Sequence, residues 1–200
     1  MATIKSFLPN RCLVVLAATV VLSACGSSRQ RNEGIQELQK LQAGVHALHI
    51  LVSAGVTKPE YSQRFEDALV KLGDLDQSAA ETVPKFPRSN QPTVKLVYAH
   101  LSQAMAAYKN ARDYFGDNFD GDGCEQGCSV FRESDYDAIK QEFPSIAHLD
   151  FGPEFTWYKD KDGNVVNHSY RRSDMLQALW VVAGAEDDQA RQLIQQLSQE

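Results

Sequence analysis

The stretch QPTVKLVYAHLSQAMAAYKNARDYF, residues 91–115, decides the fold class of this chain. Its apolar side chains recur every three or four residues, which is the spacing of one face of an α-helix. Polar and charged residues fill the positions between them, so this helix is predicted to bury one face and expose the other. Gly116 follows and is expected to end it. The buried face is predicted to consist of Val94, Val97, Tyr98, Leu101, Ala104, Met105, Tyr108, Ala111 and Phe115.

Two more helices are predicted before this stretch. Residues 33–54 carry apolar side chains at helical spacing, and Gly55 should end the run. Thr57 and Glu60 form a capping box that starts a second helix, and this helix should end near Val83 because prolines follow. The predicted buried positions are Ile35, Leu38, Leu41, Val45, Leu48 and Val52 in the first helix, and Tyr61, Phe65, Ala68, Leu69, Leu72, Leu75 and Ala79 in the second.

The last part of the chain is predicted to be a fourth helix, from about residue 171 to residue 184. Gly184 marks a point at which this helix could be interrupted, and the same apolar face then continues to the C-terminus. That face consists of Met175, Leu176, Leu179, Val182, Ala183, Ala190, Leu193, Ile194 and Leu197. Short loops join the predicted helices except between the third and the fourth, which is typical of an up-down helical bundle.

Residues 116–169 are predicted to form an insert between the third and fourth helices. The insert starts as a loop, and a short helix over residues 135–142 should follow, capped by Ser134. Residues 154–169 place aromatic and β-branched side chains around Asp162-Gly163, the turn pair of a β-hairpin. The predicted fold is therefore mainly α: an up-down bundle of about four helices with a loop and β-hairpin insert between the third and the fourth.

The first 24 residues have the pattern of a secretory signal peptide. Lys5 and Arg11 give a basic start, and an almost wholly apolar run follows over residues 12–22. This run is shorter than the roughly 20 residues that a membrane-spanning helix needs. The segment ends in Leu22-Ser23-Ala24-Cys25.

The Leu22-Ser23-Ala24-Cys25 sequence resembles the lipobox of bacterial lipoproteins, and the alternative is an ordinary signal peptide with an incidental cysteine. The resemblance implies that Cys25 is acylated through its sulfur and becomes the first residue of the mature chain. Residues 25–32 would then be a lipidated tether and residues 33–200 a single helical domain. In Gram-negative lipoproteins Asp after the cysteine tends to retain the protein on the inner membrane. Gly26 therefore favours the periplasmic face of the outer membrane.

Two other stretches resemble a loose group of uncharacterised helical bacterial lipoproteins. They are Gly55–Tyr61 at the entry to the second helix and Ala178-Leu179-Trp180 in the last helix. The group has no assigned activity, so the resemblance implies a location and a helical fold and supplies no reaction.

The charge of the chain excludes one class of partner. The net charge is −6, and removal of the signal peptide with Lys5 and Arg11 moves it to −8. Nucleic acid is therefore not expected as a partner, because its phosphates would repel an acidic surface.

Two cysteines, Cys124 and Cys128, remain after the signal peptide and the lipid are accounted for. In an oxidising, exported compartment they are predicted to form a local disulfide. The alternative is a thiol metal site, but two cysteines without a second pair fall short of a structural zinc set.

Catalytic and metal motifs are weak in this sequence. Nucleophile elbow, zinc-helix, phosphate-loop and dinucleotide motifs are missing, so an enzyme is not expected and no cofactor besides the covalent lipid is predicted. Asp120 and Asp122 begin a calcium-loop pattern, as do Asp160, Asp162 and Asn164, but both lack the glycine that an EF-hand loop needs at its sixth position. His46 and His49 share one side of the first helix and are interpreted as boundary histidines, because no buried stripe supplies an acid to complete a metal site.

The aromatic residues of the insert are the remaining candidate site. Phe155, Trp157, Tyr158 and Tyr170 would suit contact with a partner protein or a glycan if they are exposed, and packing over the bundle end is the alternative. The first hypothesis is therefore a non-enzymatic, membrane-anchored envelope protein that binds another envelope component. The alternative is a periplasmic helical bundle that binds a small molecule or a metal, and an unrecognised enzyme ranks third.

Overall fold

The structure is a computed structural model that describes residues 11–116, 130–148, 155–159 and 165–199, with side chains described for residues 28–114, 136–148 and 174–199. The chain is mainly helical, as predicted. Six α-helices are described: α1 (Arg11–Ser53), α2 (Lys58–Leu72), α3 (Leu75–Thr82), α4 (Gln91–Gly116), α5 (Glu133–Glu142) and α6 (Arg172–Gln199). Three strands accompany them: β1 (Val130–Arg132), β2 (Phe155–Lys159) and β3 (Val165–Arg171).

Helix α1 begins well before the predicted start at residue 33. It runs from Arg11 to Ser53 and so includes the residues expected to form the tether. Its end agrees with the prediction, because Gly55 follows with φ +82°, a left-handed conformation that glycine adopts without steric cost. The proposed cleavage point and domain boundary lie inside this helix and stay predictions.

The predicted second helix is wrong in its length, because two helices occupy its range. Helix α2 ends at Leu72, where Gly73 has φ +61° and donates its N–H to the carbonyl of Leu69. Asp74 then starts α3 by accepting hydrogen bonds from two backbone N–H groups, at 2.9 and 3.1 Å. A glycine C-cap followed at once by an aspartate N-cap turns the chain. Thr57 takes the N-cap position of α2, but its side chain makes no capping hydrogen bond.

Helix α4 matches the stretch that decides the fold class. It spans Gln91–Gly116, and the predicted stripe is buried wherever its side chains are described. Val94, Leu101 and Tyr108 have no exposed surface. Phe115 lies in the helix, outside the described side chains. The stripe belongs to one continuous core that α1, α2, α4, α5 and α6 share.

Helix α6 is uninterrupted at Gly184. It runs from Arg172 to Gln199 and packs antiparallel to α1. Arg31 near the start of α1 donates to the carbonyl of Leu197, whereas Gln42 and His46 contact Asp187. The helix continues through Gly184 because a glycine inside a helix costs only about 1 kcal/mol relative to alanine.

The insert contains α5, a 3-10 turn and a small antiparallel sheet. The turn spans Pro144–His148, and the strand order of the sheet is β1-β3-β2. Strand β1 falls in a segment expected to be a loop, and α5 begins at Glu133, so the predicted cap Ser134 lies inside the helix. In the pairing of β2 with β3, Phe155 lies opposite Ser169. The predicted turn, Asp162-Gly163, lies outside the described residues.

Candidate functional site

A groove between α1 and α2 forms a hollow in the described part of the chain. The four-residue loop at 54–57 turns the chain back, so α2 packs antiparallel to α1. Each helix contributes residues at the spacing i, i+3, i+4, i+7 and i+8, which is a single helical face. The α1 residues of the groove are Lys40, Ala43, Gly44, Ala47, Leu48, Ile50 and Leu51, and the α2 residues are Arg64, Asp67, Ala68, Lys71 and Leu72.

The hollow exists because small side chains face each other across the two helices. Ala43, Gly44 and Ala47 stand on α1 opposite Ala68 on α2, and together they leave a volume of about 560 Å³. Pockets of about 300–1,000 Å³ are typical of small-molecule sites. The floor is apolar and well packed, because Leu48 and Leu72 are almost completely buried beneath it.

The rim of the groove is charged and open to solvent. Lys40, Arg64 and Lys71 are exposed, and Asp67 is the single acid among the lining residues. Ile50 extends the apolar surface at one end and keeps 57% of its surface exposed. An apolar floor with a few charged groups at its edge is the usual composition of a ligand site. No sequence pattern predicts this site, because Ala43, Gly44 and Ala47 are residues found throughout ordinary helices.

A second polar feature lies between α1 and α6. Asp187 is fully buried, and its two carboxylate oxygens contact Gln42 Nε2 at 2.9 Å and His46 Nδ1 at 2.7 Å. Hydrogen bonds of this kind offset the large cost of burying a charge. The interpretation that no buried stripe supplies an acid near His46 is therefore wrong.

His49 continues this polar feature along α1. Its ring stacks on that of His46 with the ring centroids 5.8 Å apart. Its Nδ1 is buried without a hydrogen-bond partner in the described part of the chain. Gly184 of α6 lies directly against the ring, since a Cβ built there would be 2.7 Å from Nδ1. Only glycine lets the two helices approach this closely.

Two tyrosines lie near the end of α1, in the core between α2, α4 and α6. The Tyr61 hydroxyl donates to the carbonyl of Tyr108 at 2.8 Å, and the Tyr61 ring meets Trp180 edge to face. Burial raises the pKa of both tyrosine hydroxyls well above the ordinary value. Both side chains therefore stay neutral. Tyr61 packs and donates a hydrogen bond, whereas the Tyr108 hydroxyl is buried without a hydrogen-bond partner in the described part of the chain.

His46 and His49, the metal candidates with described side chains, have no complete set of metal ligands around them within the described residues. His46 and Asp187 are in contact, but the described part of the chain holds no group of three or more His, Cys, Asp or Glu side chains placed to bind an ion. Asp120, Asp122, Asp160, Asp162 and Asn164 lie outside the described residues.

The other predicted site residues are placed only in part. Cys25 lies in α1, but its side chain is not among those described. Cys124 and Cys128 lie outside the described residues, so their disulfide stays a prediction. The aromatic candidates fall on strands whose side chains are not described: Phe155, Trp157 and Tyr158 on β2 and Tyr170 on β3.

Comparison with protein-family models, with curated proteins and with solved structures finds no match to this chain. Within the residues that the structure describes, no helix has the length and apolar character needed to cross a membrane.

Proposed function

We propose that this chain is a lipid-anchored, non-enzymatic binding protein of a bacterial cell envelope, with the groove between α1 and α2 as its ligand site. The lipobox resemblance at Leu22–Cys25 supports the anchor, and Gly26 supports the periplasmic face of the outer membrane. The groove is the observation that carries the binding function. It is a preformed hollow of about 560 Å³ with an apolar floor and charged groups at its rim.

Burial of apolar surface supplies the energy of binding in such a groove. Filling the hollow removes the exposed apolar atoms of ligand and floor from water, at about 25 cal/mol per Å². Leu48, Ala68 and Leu72 line the groove and also belong to the shared core, so the site needs no large rearrangement to accept a ligand. Such a preformed site reduces the ordering cost of binding.

Fluorescence of a neutral apolar dye, Nile red, tests this function on the purified full-length chain. Ala47 is exposed and lines the groove, so A47W fills the hollow without forcing a large side chain into the core. We expect saturable dye binding to the wild type and its loss in A47W. The matched control is A99W, at an exposed alanine of α4 outside the groove. Equal binding by A47W and A99W, with both variants melting like the wild type, would refute the groove as the site.

The insert is a second candidate site, for a partner protein or glycan. Among the described strands, β2 is at the edge of the order β1-β3-β2 and contains Phe155, Trp157 and Tyr158. Edge strands can accept a partner strand, and aromatic residues are enriched at recognition surfaces. Crosslinking in intact cells should capture a specific partner that is lost when Trp157 and Tyr158 are both replaced by Ala. No partner, or an unchanged one, would contradict this role.

A further inference from the structure

We propose that the groove between α1 and α2 binds a single-chain amphiphile with an anionic headgroup, such as a long-chain carboxylate. This inference rests on the proposed function and adds the chemical class of the ligand. Two features of the groove support it: the positive charge of the rim and the distribution of that charge along the groove.

The rim is positive although the chain is acidic overall, with a net charge of −6. Most lysines and arginines with described side chains have a partner, as in Lys85 with Glu37 and Arg112 with Glu66. Five make no hydrogen bond or ion pair in the part of the chain that the structure describes. Three of these five line the groove. The five are Lys40, Arg64, Lys71, Arg88 and Lys95.

Two of the rim cations belong to the same end of the groove. Gly44 faces Leu72, because a Cβ built at Gly44 would lie 3.6 Å from Leu72 Cδ2. Lys71 precedes Leu72 and Lys40 lies one turn before Gly44, so both residues belong to this end. Arg64 lies two turns before Leu72 on α2, at about 12 Å for eight residues, and Asp67 lies between Arg64 and Lys71, about one turn from each.

This distribution gives the groove a polar end and an apolar body. Lys40 and Lys71 offer an anion two charges that make no ion pair in the part of the chain that the structure describes, and their aliphatic stems can lie along the apolar floor. From that end, Ala43, Ala47, Leu48 and Leu51 extend along α1 for about 12 Å. A single acyl chain fits an open, narrow apolar trough of this kind, with its anionic headgroup between Lys40 and Lys71.

Photocrosslinking to the purified full-length chain tests the ligand class. Two probes carry the same photoreactive hydrocarbon chain, one ending in a carboxylate and the other in a neutral alcohol. We expect the carboxylate probe to label peptides from residues 40–51 and 64–72 more strongly than the alcohol. The double variant K40E/K71E should weaken labelling by the carboxylate about tenfold, because two exposed cations that attract the headgroup are replaced by acids that repel it, and should leave the alcohol unchanged.

The control K95E replaces a lysine outside the groove that is also exposed and unpaired in the described part of the chain, and should leave labelling by both probes unchanged. A47W should block both probes. If both probes label the groove equally and K40E/K71E behaves like K95E, the anionic class is refuted while the apolar site of the proposed function stands. If neither probe labels the groove in the wild type, both proposals are contradicted.

Discussion

Nδ1 of His46 on α1 lies 2.7 Å from Oδ2 of Asp187 on α6, and the carboxylate of Asp187 is fully buried. The contact joins two residues that are 141 positions apart in the sequence. It lies where the first and last helices of the described fold pack against each other. Gln42 holds the other carboxylate oxygen at 2.9 Å, so both oxygens have a protein partner. The pair therefore connects the two ends of the helical domain.

Replacing Asp187 should destabilise the fold. In D187A, Gln42 and His46 lose their shared acceptor and a small cavity forms, so we expect a loss of roughly 2–3 kcal/mol in the free energy of unfolding. Urea denaturation followed by circular dichroism measures it. Asp188 is the matched control, because its contact with Arg191 is exposed and D188A should cost less than about 0.5 kcal/mol. Equal stability of D187A and D188A would contradict the role assigned to the buried carboxylate.

Gly184→Ala should destabilise the protein even though alanine favours helices. The added Cβ would lie 2.7 Å from the His49 ring, and the ring is held by stacking on His46. Gly44→Ala is the matched control, because its Cβ would meet Leu72 at an ordinary 3.6 Å and should gain up to about 1 kcal/mol from helix propensity. Thermal melts of both variants measure the difference.

Removing the His49 ring should reverse the sign of this effect. In the background of H49A, the Gly184→Ala change no longer creates a clash and should become neutral or stabilising. A double-mutant cycle gives the coupling between the two positions. The same loss from Gly184→Ala in both backgrounds would show that His49 is not the cause.

The ion pair of Glu37 with Lys85 should make stability depend on pH in acid. The hydrogen bond from Lys85 lowers the pKa of Glu37 below its ordinary value of 4.5. A carboxylate with a lowered pKa stabilises the fold at pH values above 4.5, and this contribution is lost as the pH falls through the pKa of the folded state.

The comparison of wild type with E37Q isolates this contribution. The wild type should be the more stable protein at pH 7, and the difference should shrink as the pH falls below 4.5. Chemical denaturation at a series of pH values measures it. A difference that stays constant from pH 7 to pH 3 would contradict the assignment.

Periodic apolar spacing predicted most of the helices, because burial of one face dominates their stability. The apolar stripe of α4 is buried as predicted where its side chains are described, and α1 ends at Ser53, just before Gly55, as predicted. The break between α2 and α3 was missed because apolar residues continue in helical phase across Gly73, whose left-handed conformation depends on the turn. The sequence pattern therefore places the end of the second helix just before Pro84, whereas α2 ends at Leu72.

Asp187 shows why polar sites are harder to predict than cores. It lies between Glu186 and Asp188, and a run of acids suggests an exposed face. A signal was nevertheless present, because Asp187 is four residues after Ala183 and three before Ala190, and both alanines are fully buried. The groove is harder still to predict from the sequence, because it results from the absence of large side chains at Ala43, Gly44 and Ala47.

Replacement of Cys25 by Ser should remove the proposed anchor without disturbing the fold. The sulfur that would carry the lipid is lost, and cleavage that requires the modified cysteine should fail. The first buried residue of the described core is Leu38, more than three helical turns later. Helical circular dichroism and a cooperative melt should therefore persist in C25S, and loss of the fold would mean that the core extends to this residue.

The intact mass of the wild-type chain, measured after detergent extraction from its own cells, tests the proposed anchor most directly. The account predicts a chain that begins at Cys25 and carries additional acyl mass on that residue, whereas C25S should keep its first 24 residues and carry no acyl mass. A soluble, unacylated mature chain from the wild-type gene would contradict the proposal that this is a lipid-anchored envelope protein.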